Sequence, residues 1–223
     1  MNHELHIVDD LTELADLGST LVAGRAAAAV AEHGTFRMAV SGGRTPWAMF
    51  DRLGEVTEFP WSDTVLYQVD ERIAAATDPD RNLAHLTAAI PAQCTVIEAM
   101  PVEDHDLDQA CRRYEARLPS AFDLVHLGLG DDGHTASLVP GDGVLEVRDR
   151  LVALTERPYQ GKRRMTLTYP ALARAHALLW LVAGADKRDA LARLLAGDHS
   201  IPAGRVAAAV SIVVADRAAT TIG

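Results

Sequence analysis

One segment of this sequence combines the residue types that carry acid–base chemistry. The apolar run Leu124–Gly128 leads directly into a glycine-rich loop that contains Asp132 and His134. In open α/β sheets, ligands bind beyond the carboxyl ends of the strands, so a buried strand that ends in this loop would place it at a site. Histidine is the side chain whose ordinary pKa lies closest to neutral pH, and a carboxylate beside it can orient its ring. The segment therefore predicts a reactive loop that presents Asp132 and His134 to a small substrate.

The same loop also matches the Gly-x-Gly-x-x-Gly pattern of dinucleotide-binding proteins, through Gly128, Gly130 and Gly133. Asp131 and Asp132 stand where a pyrophosphate would approach, and like charges repel. The pattern also lies past the middle of the chain, whereas the dinucleotide fingerprint normally opens its domain. We therefore interpret the glycines as shaping a turn, and we expect no cofactor.

Neither the histidines nor the cysteines are spaced like metal ligands. His126 and His134 are eight residues apart, which is not a zinc-site spacing. The two cysteines, Cys94 and Cys111, also lack such a spacing, and their small number favours a reduced, cytoplasmic protein. We therefore expect no metal, and we interpret His126 as a surface or packing residue.

A second candidate segment, Ser41–Pro46, follows a predicted strand. Gly42 and Gly43 allow the backbone to approach a ligand closely, while the hydroxyls of Ser41 and Thr45 can donate to phosphate oxygens. The following helix would direct its N-terminal amides and the positive end of its dipole at the same spot. Taken alone, the segment is equally consistent with a phosphate loop and with a glycine-rich turn that binds nothing.

Two further strand ends carry charge. The triplet Asp70–Arg72 leaves a predicted strand, and three consecutive charges are costly there unless they face a cleft or water. Arg72 can hold phosphate or sugar oxygens, oriented by Asp70 or Glu71, although a solvated loop is the simpler explanation of an isolated triplet. Lys187, one of only two lysines, stands at the start of a predicted helix, where a cation is unfavourable unless an anion joins it. A phosphate site and a surface lysine both fit that position.

Composition limits the classes of partner. The 223 residues carry a net charge of −10, which argues against general nucleic-acid binding because that needs a basic face. The most apolar segments, Ala26–Ala31 and Ala175–Ala185, are shorter than the roughly 20 residues that span a bilayer. The N-terminus also lacks the pattern of a signal peptide. We therefore expect no nucleic acid and no membrane as partner.

The elements that must position these residues alternate between helices and strands. The predicted helices are Asp10–Glu32, Trp47–Leu53, Asn82–Ile90, Asp104–Leu118 and Asp186–Leu195. The predicted strands are Phe36–Val40, Thr64–Val69, Thr95–Ile97, Phe122–Leu127, Leu151–Leu154, Arg164–Thr168, His176–Ala183 and Val210–Ala215. Such alternation, with an aliphatic composition, predicts an α/β protein with a parallel, multi-layered sheet.

The order of these motifs resembles the 6-phosphogluconolactonase family. The matching segments read Ser-Gly-Gly-x-Thr-Pro, Asp-Glu-Arg, Gly-x-Asp-Gly-His-Thr-Ala-Ser-Leu-x-Pro, Arg-Met-Thr-Leu-Thr and Gly-Ala-Asp-Lys, from about residue 10 to residue 217. The resemblance implies a single domain over residues 1–223, with a three-layer, modified Rossmann-type fold whose mostly parallel sheet has helices on both faces. It also implies hydrolysis of 6-phospho-D-glucono-1,5-lactone to 6-phospho-D-gluconate in the oxidative pentose phosphate pathway.

Carried over position by position, the resemblance implies roles for particular residues. His134 would be the general base that activates water, with Asp132 beside it and Arg72 as a further catalytic residue. The implied phosphate-binding residues are Ser41, Gly42, Gly43, Thr45, Arg164 and Lys187. The implied partner is a small phosphorylated sugar lactone, bound by a cytoplasmic monomer or small homo-oligomer. The chain departs from the family pattern at Arg44 and Arg81, where serine is usual.

Other functions remain open from the sequence. A sugar-phosphate isomerase or deaminase of the glucosamine-6-phosphate type would use the same fold, but such deaminases resemble Asp-Glu-Tyr where this chain has Asp-Glu-Arg. A non-catalytic sugar-phosphate sensor would keep the phosphate loop, yet it would not need Asp132 and His134. A serine hydrolase fits least, because neither Ser41 nor Ser137 lies in a Gly-x-Ser-x-Gly segment.

Overall fold

The structure, a computed structural model, describes residues 2–91 and 96–220. Its strands are β1 (Glu4–Val8), β2 (Phe36–Val40), β3 (Thr64–Gln68), β4 (Asp70–Arg72), β5 (Val96–Glu98), β6 (Leu124–Leu127), β7 (Val152–Leu154), β8 (Arg164–Leu167), β9 (Ala177–Val182) and β10 (Val210–Asp216). Its α-helices are α1 (Leu11–His33), α2 (Arg44–Gly54), α3 (Asn82–Ala89), α4 (Leu107–Glu115), α5 (Tyr169–Leu172), α6 (Arg188–Leu195) and α7 (Arg217–Thr220).

Seven strands form one parallel sheet, in the order β1-β10-β9-β6-β2-β3-β5. Successive side chains of β9 point to opposite faces, so Leu178 and Trp180 join one core while Leu179 and Leu181 join the other. Helices α1 and α2 cover the second core, and α4 and α6 contribute to the first. The predicted three-layer α/β fold is confirmed.

Helix α1 begins and ends where its sequence signals predict, within one residue. The Asp10 carboxylate accepts two backbone N–H groups of the first turn, and Gly34 ends the helix in the left-handed conformation at φ 80°. By length and apolar composition alone α1 could cross a membrane. However, Leu14, Val22 and Ala26 are fully buried in the core beneath it. Its apolar character therefore serves packing against the sheet.

A second sheet, antiparallel and three-stranded, was not predicted as a separate unit. Its order is β4-β8-β7, and the register pairs Arg72 with Arg164. The triplet Asp70–Arg72, interpreted from sequence as a charged loop, is the strand β4. Asp70 and Glu71 are buried there because other segments supply partners for their carboxylates, which the local sequence does not reveal.

The predicted strand Thr95–Ile97 overlaps β5, and Thr95 and Cys94 lie outside the described residues. Strand β1 was not predicted. In β1 the apolar residues Leu5 and Ile7 are exposed. The strand has one neighbour, β10, so it is an edge strand. Edge strands bury too little to show the apolar pattern that sequence analysis relies on.

The topology brings the candidate segments together. Strands β2, β3, β6 and β9 are parallel neighbours in one sheet, so their carboxyl ends share one edge. The Ser41 loop follows β2, the His134 loop follows β6 and Lys187 follows β9. The small sheet begins directly after β3, and its strand β8 brings Arg164 to the same edge.

Candidate active site

A cavity of about 180 Å³ opens at this edge, and six of the nine predicted site residues line it. Its walls come from segments far apart in the sequence. The lining residues are Ser41, Gly42, Asp70, Arg72, Asn82, Gly128, Leu129, Gly130, His134, Ala136, Gln160, Arg164 and Lys187. The other three predicted residues, Gly43, Thr45 and Asp132, are not part of this lining.

The His134 loop is built around a carboxylate–imidazole pair. Asp132 Oδ1 lies 2.6 Å from His134 Nδ1 and also accepts the backbone N–H of His134 at 3.0 Å. Because Nδ1 is engaged in this way, Nε2 is the ring nitrogen left to act on a ligand. The side chain of His134 is 21% exposed and that of Asp132 36%, so solvent reaches both members of the pair.

The glycines of this loop make the pair possible. A Cβ on Gly130 would lie 1.9 Å from His134 Nδ1, so no other residue leaves room for the ring. Gly133 has φ +81°, and a Cβ there would also lie 2.5 Å from Ile201. As predicted, these glycines shape a turn that presents Asp132 and His134.

Tyr159, which sequence analysis missed, completes the surroundings of the pair. Its hydroxyl donates to Asp132 Oδ2 at 3.3 Å and lies 3.3 Å from His134 Nδ1. Burial would raise the pKa of Asp132, but the hydrogen bonds from His134 and Tyr159 outweigh it and lower that pKa. Asp132 is therefore held as a carboxylate, the form that binds an N–H of the imidazole.

The second histidine of this segment, His126, is set differently. It lies on β6, in register between Val40 and Leu179 of the core beneath α1 and α2. It is fully buried, and neither ring nitrogen has a hydrogen-bond partner among residues 2–91 and 96–220. Burial lowers the pKa of His126 to about 3. In the same described ranges, no cluster of three or more His, Cys, Asp or Glu side chains is arranged to hold a metal ion.

The loop after β2 presents a helix N-terminus to the cavity. Helix α2 begins at Arg44, earlier than predicted, and Gly43 precedes it at φ 131°. Ser41 is buried, and its Oγ has no hydrogen-bond partner in the described part of the chain. A Cβ on Gly42 would lie 1.9 Å from Asn82 Oδ1. A free hydroxyl beside the first amides of a helix is the arrangement that suits an anion.

Arg72 reaches the cavity from β4, but its orientation differs from the prediction. Neither Asp70 nor Glu71 holds its guanidinium. Instead, Arg72 Nη1 donates to the Asp80 carbonyl and, at 2.9 Å, to Asn82 Oδ1. Arg72 Nε is buried without a partner in the described ranges.

Glu71 acts behind the cavity. It is fully buried, and its Oε1 accepts the backbone N–H groups of Arg72 and Asn82 at 2.7 and 2.9 Å. Its Oε2 lies 3.2 Å from Nε of Arg81, which is one of the departures from the family pattern. Glu71 thereby ties β4 to the start of α3 and holds the backbone that carries Arg72 and Asn82.

Asp70 and Arg164 form a buried ion pair in the cavity wall. Arg164 Nη1 lies 3.7 Å from Asp70 Oδ2, which also accepts the Ser137 hydroxyl at 2.6 Å. Burial lowers the pKa of Arg164, against the opposing effect of the Asp70 charge. Arg164 Nε has no partner among the described residues, so the guanidinium keeps a donor for a ligand.

Lys187 also lines the cavity. It ends a short 3-10 turn, Ala185–Lys187, directly before α6, close to the predicted helix start. Its Nζ lies 3.0 Å from Asp186 Oδ2, and its side chain is 24% exposed. A neighbouring carboxylate therefore partly offsets the unfavourable position of this cation.

Three cavity residues with polar side chains, Asp70, Asn82 and Gln160, were absent from the predicted site. So was Tyr159, which contacts Asp132 and His134. Asp70 was considered only as a partner for Arg72. The signal that could have found Asn82 is its position at the start of a helix directly after a charged strand. Tyr159 and Gln160 belong to a polar turn between two short strands, and nothing in the local pattern of that turn indicates a site.

Comparisons with known proteins place the chain in a family. The family model described as glucosamine-6-phosphate isomerases/6-phosphogluconolactonase matches residues 9–214. A 6-phosphogluconolactonase from a Nostoc species is 33% identical over 212 residues, which cover 88% of this chain and 86% of that relative.

Solved structures show the same fold. A 6-phosphogluconolactonase from Thermotoga maritima has a TM-score of 0.86 at 24% identity, covering 96% of this chain and 99% of that chain. A monomeric glucosamine-6-phosphate deaminase has a TM-score of 0.82 at 19% identity, covering 97% of this chain and 98% of that chain. Together with the extent of the family match, this shows that the chain belongs to the glucosamine-6-phosphate isomerase/6-phosphogluconolactonase family.

Proposed function

We propose that this protein hydrolyses 6-phospho-D-glucono-1,5-lactone to 6-phospho-D-gluconate in the cytoplasm, as a step of the oxidative pentose phosphate pathway. The observation that carries the proposal is the Asp132–His134 pair beside a cavity that Ser41, Arg72 and Lys187 also line. A base and an anion site on one small cavity suit a substrate that carries both a reactive carbonyl and a phosphate. The names of the related lactonases agree with this assignment.

The first step would be attack of water on the lactone carbonyl. Neutral His134 accepts a proton from the water at Nε2 as the oxygen bonds to the carbonyl carbon. Asp132 supports this step because it binds the N–H at Nδ1. This bond keeps Nε2 unprotonated and holds the ring in one orientation. The tetrahedral intermediate then collapses with cleavage of the ring C–O bond, and the leaving oxygen takes back the proton. A lactone is an activated ester, so neither a covalent intermediate nor a metal is required.

Arg72 is the donor that we assign to the developing oxyanion. The Gly130 N–H already donates to the His134 carbonyl, and the Gly133 N–H donates to the Gly130 carbonyl. Arg72 Nε, by contrast, is unpartnered within the described ranges and belongs to a residue of the cavity wall. A positioned cation at developing charge is usually a large contribution to catalysis.

The phosphate would bind at the other end of the cavity. The α2 N-terminus, the Ser41 hydroxyl and Lys187 supply donors there, and Arg164 adds a second cation. Among the residues that the structure describes, three cations and a single carboxylate, Asp70, line the cavity, although the chain carries a net charge of −10. Concentrating positive charge locally is what an acidic protein needs to hold an anion. Grip on the phosphate would position the lactone ring against His134.

The test is direct measurement of lactone hydrolysis. Glucose-6-phosphate dehydrogenase generates the lactone in place, and appearance of 6-phosphogluconate is followed with and without this protein, after subtraction of spontaneous hydrolysis. His134→Gln should remove almost all of the added rate, while the control His199→Gln, which changes an exposed histidine outside the cavity lining, should keep it. An equal rate with and without the wild-type protein would contradict the proposal.

A parallel assay separates the deaminase alternative, whose fold is the same. The protein is supplied with glucosamine 6-phosphate, and released ammonia is measured. We expect no ammonia above background, because the deaminase pattern has tyrosine in Asp-Glu-Tyr at the position that Arg72 occupies in this chain. Ammonia release without lactone hydrolysis would favour the deaminase. Binding of 6-phosphogluconate without either reaction would favour a sensor.

A further inference from the structure

We propose that Tyr159 is a positioning residue of this site, whose hydroxyl holds the Asp132 carboxylate and thereby the His134 ring in the reactive orientation. The inference rests on the proposed function, because it takes His134 to be the general base. Tyr159 lies on the turn between β7 and β8, outside every motif that carries the family resemblance.

Three polar groups form a closed triangle. Asp132 Oδ1 lies 2.6 Å from His134 Nδ1, and the Tyr159 hydroxyl lies 3.3 Å from both Asp132 Oδ2 and His134 Nδ1. The rings of His134 and Tyr159 also meet edge to face, with centroids 5.0 Å apart and planes at 62°. The phenol therefore contacts both members of the pair at once.

Without Tyr159, only one of the two carboxylate oxygens of Asp132 would have a hydrogen-bond partner among the described residues. Oδ1 accepts from both the backbone N–H and the ring of His134. Oδ2 accepts only from Tyr159 among the residues that the structure describes. Because the Asp132 side chain is 36% exposed, packing alone does not stop the carboxylate from rotating. The Tyr159 hydroxyl supplies the missing constraint, and its effect passes to the ring through Oδ1.

Tyr159 is itself held firmly enough to act in this way. The Arg164 guanidinium lies over its ring, 5.3 Å from the centroid. The turn closes by backbone pairing of Tyr159 with Lys162, whose Nζ lies 2.6 Å from Asp78 Oδ1 and 2.8 Å from Asp80 Oδ2. The turn is thus anchored to the loop that also accepts the Arg72 guanidinium.

The geometry separates this role from that of a proton carrier. Tyr159 approaches the imidazole at Nδ1, whereas the reacting water would bind at Nε2. Burial, together with the nearby charge of Asp132, raises the pKa of Tyr159. The phenol therefore stays protonated at neutral pH and remains a hydrogen-bond donor to Asp132.

Tyr159→Phe tests the proposal because it keeps the ring and removes only the hydroxyl. We expect kcat for the lactone to fall about tenfold, with KM within about twofold, since the phosphate contacts are untouched. The matched control is Tyr169→Phe. It also removes one hydroxyl, which donates to the Pro202 carbonyl at 3.0 Å, and Tyr169 does not line the cavity. That variant should retain wild-type kcat and KM.

Repeating the substitution in an Asp132→Asn variant shows whether Tyr159 acts through the Asp132 carboxylate. In Asp132→Asn, the further change Tyr159→Phe should alter kcat less than twofold, because the group that it positions is already lost. An unchanged kcat in Tyr159→Phe would overturn the proposal. So would a rise in KM with kcat unchanged, or a full tenfold loss that persists in the Asp132→Asn background.

The activity of His134→Gln distinguishes failure of the role proposed for Tyr159 from failure of the proposed function. If that variant retains full turnover, or the wild-type protein shows none, the function itself is wrong. If His134→Gln is inactive and Tyr159→Phe behaves like the wild type, only the role of Tyr159 is wrong.

Discussion

His126 and His134 are eight residues apart on one segment, yet the protein uses them in opposite ways. His126 lies on β6, fully buried, with both ring nitrogens unpartnered among the described residues. His134 lies beyond the end of the same strand, in the cavity wall, with a carboxylate and a phenol at Nδ1. The strand supplies burial, and the loop that follows supplies polar partners and access.

The difference shows how strongly its neighbours set the properties of an imidazole. At His126, desolvation without a compensating partner disfavours the charged form so strongly that its pKa falls to about 3. It is closed to solvent, and its ring nitrogens have no hydrogen-bond partner within residues 2–91 and 96–220, so it has no route for exchanging protons with a ligand. At His134, one nitrogen is occupied by Asp132, which leaves the other for chemistry. Each prediction below tests one side of this contrast.

The largest expected effect is that of His134→Gln on catalysis. Loss of a general base typically lowers kcat by about 10²–10⁴. The variant should fold like the wild type, because the ring is partly exposed and carries little of the core. Steady-state lactone hydrolysis and a thermal unfolding curve measure the two properties. Near-normal turnover would remove His134 from the role of base.

Asp132→Asn should come next, with kcat lower by about 10². An amide in place of the carboxylate can donate to Nδ1 and so stabilise the wrong tautomer, in which Nε2 carries the proton. Asp131→Asn is the matched control, since it removes the neighbouring exposed carboxylate and leaves the Asp132–His134 hydrogen bond in place. Equal kcat values for the two variants would show that the Asp132–His134 bond has no part in catalysis.

His126 should instead make the free energy of unfolding depend on pH. Its folded pKa of about 3 lies below the ordinary 6.5, so between these values the unfolded chain binds a proton that the folded chain does not. The free energy of unfolding should therefore fall as pH drops through this window, by about 2 kcal/mol from about pH 7 to about pH 5.

His126→Leu, which keeps a side chain of similar size, should remove that part of the pH dependence. Denaturant unfolding at both pH values measures it, and lactonase activity at neutral pH should remain. An identical loss of stability towards low pH in the variant and the wild type would contradict the assignment of His126.

The smallest expected effect belongs to Lys162→Met, which releases the turn that carries Tyr159. The ammonium group bonds to Asp78 and Asp80, and these bonds raise the pKa of Lys162 and lower that of Asp78. The ion pairs lie near the surface, so their loss should reduce kcat/KM only about two- to fivefold. Arg113→Met, which breaks an exposed ion pair with Asp104 on another face, should leave kcat/KM unchanged. A similar loss in both variants would show that the turn does not depend on Lys162.

The sequence by itself determined the fold class, and it indicated six of the residues that line the cavity. Apolar runs, helix caps and strand-end glycines are local signals, because each depends on residues a few positions apart. They were sufficient to predict α1, the parallel sheet and the loop of Asp132 and His134. The resemblance to the family, carried over position by position, then implied that Ser41 and Lys187 belong to the same site as that loop, and both line its cavity.

Only the tertiary structure decided which side chains complete the cavity. Asp132 meets Tyr159 across 27 residues of sequence, and Ser137 meets Asp70 across 67. The strand β4 likewise depends on β8, far along the chain, and on partners that make its buried charges tolerable. Burial, ion pairing and hydrogen-bond geometry between distant segments are set by how the layers pack, and no local pattern of residue types encodes them.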